Sequence, residues 1–509
     1  MGERVHKSIL NAEVNLLFYF LSLFLSFFSR KIFLDSLGAE FIGLTGTIGN
    51  ILGYLNLAEL GISSCISYFL FKPLQSNNRQ EIQEILSVFG YLYNLIGTFI
   101  MGAGCFISLL FPFIFHSEDV ELSIIYFTFF SFLFSSLIGY FINYRQVLLS
   151  ADQKNYLVAI YYQSANLIKI ALQIYLAYTY KNLYVWVSIE LIFGIIGCII
   201  LNWKINKEYP WLKTNKRKGK LLLKKYPLIL INTKQIFIHK IKDFVLRESD
   251  EIFVFAFASL KIVAYYSNYT MIFSKISLLF KSILDGVNAG IGNLVAEGNK
   301  QKIYEVFWEL MTIRHFVAGF LCFTIFHLIE PFISLWLGKE YIMDRNILVL
   351  LIIYTYITDS RGTVDAFNHA NGLYADVWSA WTELVINLSI TIICGIKWGI
   401  IGLLLGKVVS LMFIVVLWKP YYLFKSGFHR SVKHYWSGAI RYYFIFFISF
   451  VIGTAICKRI NINPYEGFVQ WITYSLECAL LWIFINGSLI LLFAKGAKQC
   501  LQRIKLFKR

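Results

Sequence analysis

Charge is scarce in this chain. Only 15% of its 509 residues are Asp, Glu, Lys or Arg, against about 25% in an ordinary soluble domain. Hydrophobic residues make up 58% and aromatics 18%, a balance that a single soluble core does not explain. Redox and metal signatures are missing too. The eight cysteines (65, 105, 198, 322, 394, 457, 478 and 500) include no CxxC pair and read as small buried hydrophobes. The eight histidines have no ligand spacing, and the nearest pair, His429 and His434, lies in a basic loop. No metal site and no cofactor is expected. A DxD motif, a nucleophile elbow and a phosphate-cradling glycine loop are absent as well. With no sizeable loop outside the apolar runs, an enzyme is not expected.

What the chain does have is apolar runs of the ~20 residues that a helix needs to cross hydrocarbon. Fourteen are expected: 13–34, 41–71, 88–115, 121–149, 155–178, 183–203, 243–263, 265–290, 303–329, 345–367, 374–395, 399–418, 439–457 and 467–494. The fold class expected is therefore an all-α polytopic membrane protein with two six-helix lobes and two further C-terminal helices. Its divisions are an N-terminal lobe at 1–203, a basic linker at 204–242, a C-terminal lobe at 243–418, and the last two spans with a basic tail at 419–509. The linker, with its KTNKRKGKLLLKKYP run, reads as a solvated segment lying along the membrane. The basic head MGERVHKSILNAE precedes a run without a small-residue cleavage site, as in a retained first span. A faint internal repeat links ELGISSCISYFLFKPLQSNNRQEIQEI with NAGIGNLVAEGNKQKIYEV.

Basic residues outnumber acidic ones 47 to 30, for a net charge of +17. Of the 47, 31 fall on the side of the termini and 9 on the opposite side. Positive loops stay cytoplasmic, so both termini are expected there, in a bacterial cytoplasmic (inner) membrane. The excess also attracts anionic lipid headgroups. No separable soluble basic face offers itself to nucleic acid.

The remaining 7 basic residues, Arg145, Lys169, Lys275, Lys281, Arg314, Arg361 and Lys407, lie inside apolar spans. Charge at membrane depth is costly and persists where it meets a partner or a wet cavity. Three of these residues sit in polar stripes at helical spacing. Lys281 runs with Ser274, Ser277, Asp285 and Asn288; Lys169 with Gln163, Asn166 and Gln173; Arg361 with Thr358 and Asp365. The first two spans carry similar stripes, one from Asn15 to Arg30 and one from Asn56 through Glu59 to Ser67. Asp243, Arg247 and Asp250 share a face of the seventh span. Two structural explanations compete with function. Lys281–Asp285 and Arg361–Asp365 are spaced as (i, i+4) pairs, and Arg145 and Lys407 can snorkel to the interface. The set as a whole has more cations than anions, which suits an anionic substrate in a hydrated cavity. Arg30, Lys169, Lys275, Lys281 and Arg361 are the candidate substrate contacts. Glu59, Asp250, Asp285 and Asp365 are candidates for charge pairing or for a coupling ion.

Several segments carry a family resemblance: RKIFLDSLGAEFIGLTGTIGNILGYLNLAELGISSCISYFLFKPL, PFISLWLGKEY at 331–341, FNHANGLYADVWSAWTELVINLSI at 367–390, WGIIGLLLGKVVS at 398–410 and WKPYYLFKSGF at 418–428. In order and spacing the chain resembles the bacterial polysaccharide (O-antigen and capsule type) flippases of the multidrug/oligosaccharidyl-lipid/polysaccharide exporter superfamily. That resemblance implies fourteen helices around a central cavity. It also implies export of undecaprenyl-pyrophosphate-linked oligosaccharide for O-antigen or capsule synthesis, with membrane lipids and the polysaccharide polymerase machinery as partners. Arg30 and Glu59 fall in its first-helix and ELGI motifs, and Arg361 precedes its Gly-Leu-Tyr turn. Lys169, Lys275 and Lys281 rest on the charge pattern alone. Two alternatives stay open: an ion-coupled drug or cation exporter of the same fold, and a membrane glycan polymerase.

Overall fold

The computed structural model describes residues 2–500, apart from 60–61, 116–119, 153, 231–232, 234–245, 247–248, 286–290, 292–293, 296, 374–375 and 498. Asp243, Arg247, Asn288, the side chains of Asn15 and Asp285, and parts of both repeat segments lie outside the described residues. Among the described residues the structure is helical, in two compact units, Met1–Ala264 and Tyr265–Arg509.

The first unit contains α1 (Gly2–Leu37), α2 (Ala39–Leu55), α3 (Ile62–Gln75), α4 (Arg79–Ser108), α5 (Leu122–Phe141), α6 (Ser164–Tyr180), α7 (Leu183–Glu208), α8 (Gly219–Lys225) and α9 (Asp250–Phe257). The second contains most of α10 (Leu260–Asp285), then α11 (Lys300–Trp336), α12 (Arg345–Ser360), α13 (Gly362–Ala370), α14 (Val377–Trp398), α15 (Ile400–Leu411), α16 (Lys433–Cys457) and α17 (Phe468–Phe493). Ten helices among the described residues are long and apolar enough to cross a membrane. The other expected spans, 41–71, 155–178, 243–263 and 265–290, each carry a polar stripe. The first is broken by a 3-10 turn at Asn56–Glu59, and the second opens with a π-helical stretch at Ala159–Gln163. Breaks of this kind are tolerated at membrane depth where they line a cavity or are buried in protein. Outward-facing side chains such as Phe113 (82% exposed), Ile396 (75%) and Leu492 (74%) require lipid as their solvent.

In the first unit, α1 turns into α2 at Gly38, whose φ of +90° favours glycine. Trp186 meets Phe33 and Phe41 in T-shaped contacts with ring centroids 5.5 and 5.6 Å apart and so ties α7 to the α1–α2 corner. A side chain at Gly43 would overlap the Leu260 carbonyl, so this glycine sets how closely the chain leading into α10 approaches α2.

The basic segment after α7 is not solvated throughout, as its composition suggests. It folds back onto α4 as a strap. Gln83 donates to the Trp211 carbonyl (2.7 Å), and the Asn215 amide donates to Ser87 Oγ (2.9 Å). The Tyr144 and Thr214 hydroxyls meet at 2.6 Å, and Tyr226 donates to Glu84 at 2.7 Å. Lys216 donates to the Phe141 carbonyl over the Tyr144 ring, while Tyr209, Leu212 and Ile229 are buried. Polar groups on the first turns of α4 satisfy the strap, so a lysine-rich composition did not prevent packing.

In the second unit, α11 spans 37 residues, or ~55 Å at 1.5 Å per residue, more than the ~30 Å of hydrocarbon. It packs against α12 and α17. The hairpin α14–α15 closes tightly at GLLLG: a Cβ at Gly402 would overlap the Cys394 backbone, and one at Gly406 would lie 2.7 Å from the Asn387 carbonyl oxygen. Small residues four apart let helix backbones approach in lipid. Polar links such as Asn486 to Ser449 (3.0 Å, both buried) join α17 to α16.

Candidate substrate cavity and charge clusters

A cavity of about 260 Å³ lies within the second unit. Its charged lining comes from three elements: Lys281 of α10, Arg314 of α11, and Asp359, Arg361 and Asp365 around the α12–α13 corner. His369 also contributes. Arg361 Nε and Asp365 Oδ2 form an ion pair of 3.0 Å, as the (i, i+4) spacing predicts. Ser277 donates to Asp359 at 2.8 Å, bringing the Ser277–Lys281 stripe of α10 against α12. Three permanent cations thus face two carboxylates.

Arg314, one of the cations at membrane depth, is not among the contacts expected from the sequence. It is buried to 6% exposure and packs under Gly362, where an added Cβ would lie 2.5 Å from its guanidinium carbon. No polar stripe on its own helix marks it, because its charged cavity neighbours belong to other elements. The same holds for Asp359. Lys275, on the same helix as Lys281, does not line this cavity.

The remaining charges sit in separate arrangements, most of them in the first unit. At the break between α2 and α3, Glu59 accepts hydrogen bonds from the hydroxyls of Ser63 (3.0 Å), Tyr140 (2.8 Å) and Tyr93. Tyr140 also reaches Asn56 Oδ1 at 2.9 Å. A neighbouring cavity of about 310 Å³ is lined by Ser63, Tyr93 and Tyr144 among others. Glu59 is therefore a carboxylate held in a cage of hydroxyls.

Lys169 lacks an acidic partner on its own helix but finds one on α7: Lys169 Nζ lies 2.6 Å from Glu190 Oε1, and Gln173 donates to Glu190 Oε2 at 3.1 Å. Its charge is paired across α6 and α7. Arg30 donates to the Ala264 carbonyl at 3.2 Å, and so ties α1 to the start of α10. Asp250 opens α9. Its neighbour Glu251 accepts from Asn50 of α2 at 2.7 Å, a contact with no sequence signal beyond the acidic cluster. Snorkelling fails for Lys407, which is 6% exposed and sits over the Tyr354 ring at 5.0 Å. Arg145 is instead held by Asn202 and Asn206 of α7.

Among the described residues no group of His, Cys, Asp and Glu side chains is placed to hold a metal. No protein-family model matches the chain. A Yersinia pseudotuberculosis protein assigned a role in O-antigen export is 23% identical over 433 residues, covering 81% of this chain and 94% of that protein. In structure the chain resembles the lipid II flippase MurJ in an inward closed conformation, with a TM-score of 0.67 and 18% identity over 95% of this chain and 100% of that one. It also resembles an inward-facing multidrug resistance MATE family transporter of the MOP superfamily, with a TM-score of 0.55 and 13% identity over 82% and 99%. The chain thus has an all-helical MurJ/MATE-like transporter fold and is a multi-pass membrane protein. Its similarities run to flippases and transporters, not to enzymes.

Proposed function

We propose that this protein carries undecaprenyl-pyrophosphate-linked oligosaccharide across the bacterial cytoplasmic membrane by alternating access, with both termini in the cytoplasm. The observation that carries the reading is the convergence of Lys281, Arg314 and Arg361 on one cavity. Guanidinium groups suit phosphate, because their planar fork donates two parallel hydrogen bonds to its oxygens. Asp365 holds Arg361 until an anion competes for it. The polyprenyl chain stays in lipid, where it costs nothing to solvate. The test is complementation of a deletion strain: Lys281→Ala and Arg314→Ala should each abolish surface polysaccharide at wild-type protein levels. Full glycan export from both would sink the proposal.

A second reading, cation export, draws on the hydroxyl-caged Glu59 and on the MATE-like fold. A lone carboxylate among tyrosine and serine oxygens suits a proton or an organic cation better than a pyrophosphate. Efflux of organic cations that is lost in Glu59→Gln, with glycan export unaffected by the cavity substitutions, would favour it.

A further inference from the structure

Two of the cysteines that the sequence offers as inert hydrophobes stand side by side. Cys457, the last residue of α16, and Cys478 of α17 have their Sγ atoms 3.6 Å apart. Both are buried, within an apolar cluster that includes Phe323, Tyr474 and Trp482. Other buried thiols in the chain point at backbone instead: Cys65 at the Ile229 carbonyl and Cys322 at that of Ile352. A disulfide has S–S near ~2.05 Å, so closing this pair needs roughly 1.5 Å of sulfur movement shared between two side chains.

A route for an oxidant exists as well. A cavity of about 300 Å³ has Cys457 and Tyr474 in its wall, together with Asn463, Pro464 and Tyr465 of the α16–α17 connection. Asn463 and Tyr465 are exposed. The loop charges put this connection on the side opposite the termini, the compartment in which structural disulfides form and persist.

We propose that Cys457 and Cys478 are a disulfide-forming pair that staples α16 to α17. The Cys457 sulfur, deprotonated, attacks one sulfur of an incoming disulfide, supplied by a thiol–disulfide exchange partner. One thiol leaves and a mixed disulfide forms. The Cys478 sulfur then displaces the second thiol. One S–S bond is broken and one is made; the two protons and two electrons lost by the cysteines end on the departing thiols.

The experiment uses the full chain in its native membranes. Denaturation in excess N-ethylmaleimide caps every free thiol regardless of burial. Reduction and a heavy-isotope maleimide then mark the thiols that had been oxidised, and peptides are read by mass. Cys457 and Cys478 should carry the heavy label together, either as isolated or after copper-phenanthroline treatment of the membranes. Cys65, Cys198 and Cys322 should carry the light one. In Cys478→Ser, Cys457 should shift to the light label under both conditions. Light label on both cysteines of the wild type, before and after the oxidant, overturns the proposal. So does heavy label on Cys457 that persists in Cys478→Ser.

Discussion

Gly362→Ala moves Arg314 without removing its charge, and so separates the position of the guanidinium from its presence. The new Cβ would stand 2.5 Å from the Arg314 guanidinium carbon and nearer still to one of its nitrogens. Ordinary contact begins at ~3.5 Å, so the group must retreat by roughly 1 Å. A charge-assisted hydrogen bond of ~2.7–2.9 Å to a phosphate oxygen does not survive that displacement. Losing one hydrogen bond to a charged group costs about 1.5–3 kcal/mol, or roughly ten- to hundredfold in apparent affinity. Folding should suffer less: overpacking costs about 1–3 kcal/mol, while alanine has the better helix propensity by up to ~1 kcal/mol. The assay is surface glycan in a complemented deletion strain, read against protein level and melting temperature in detergent. Export should fall at least tenfold with the protein still folded and inserted. Wild-type export from a folded Gly362→Ala protein would refute the placement of Arg314 in the transport site.

The Lys169–Glu190 pair makes a contrasting case. Because Glu190 is 24% exposed, Lys169→Met should destabilise by about 1–3 kcal/mol, less than the ~3–5 kcal/mol of a fully buried pair. Adding Glu190→Met should restore both melting temperature and export, and an export defect in the restored double variant would return Lys169 to the list of substrate contacts. At the Asp152–Lys154 turn, Lys154 is held by Asp152 (2.7 Å) and Glu208 (3.0 Å). Burial favours its neutral form, but the two carboxylates together outweigh that and raise its pKa. A raised folded value means the stabilisation is whole below the ordinary lysine value of 10.5 and is lost as pH rises through the higher folded value. The melting-temperature gap between wild type and Lys154→Met should therefore hold steady through neutral pH and close only in strong alkali. A gap already closed at neutral pH would contradict this.

What could be read from the sequence follows the range of each interaction. Apolar runs announce helices because the hydrophobic requirement is local and additive along the chain. The Arg361–Asp365 pair was legible because helical spacing alone brings its members together. The partner of Lys169 is not legible, because Glu190 lies on another helix. The sequence pattern does not single out Arg314 or Asp359, because the surface they share is assembled from three elements. The Cys457–Cys478 contact bridges two helices in the same way. The strap failed for a different reason. Composition registers how many lysines a segment carries, but not that Gln83, Glu84 and Ser87 wait on α4 to receive it.

The strap also bears on where this protein can be cut or extended. By composition alone, 204–242 looks like the natural seam for a split gene, a protease site or a fluorescent insertion. Yet Trp211, Asn215 and Tyr226 are bonded into the first unit, and that unit runs on to Ala264. A half-molecule ending near residue 203 would lack its own bracket, leaving Gln83, Ser87 and Glu84 of α4 without the partners they are built around.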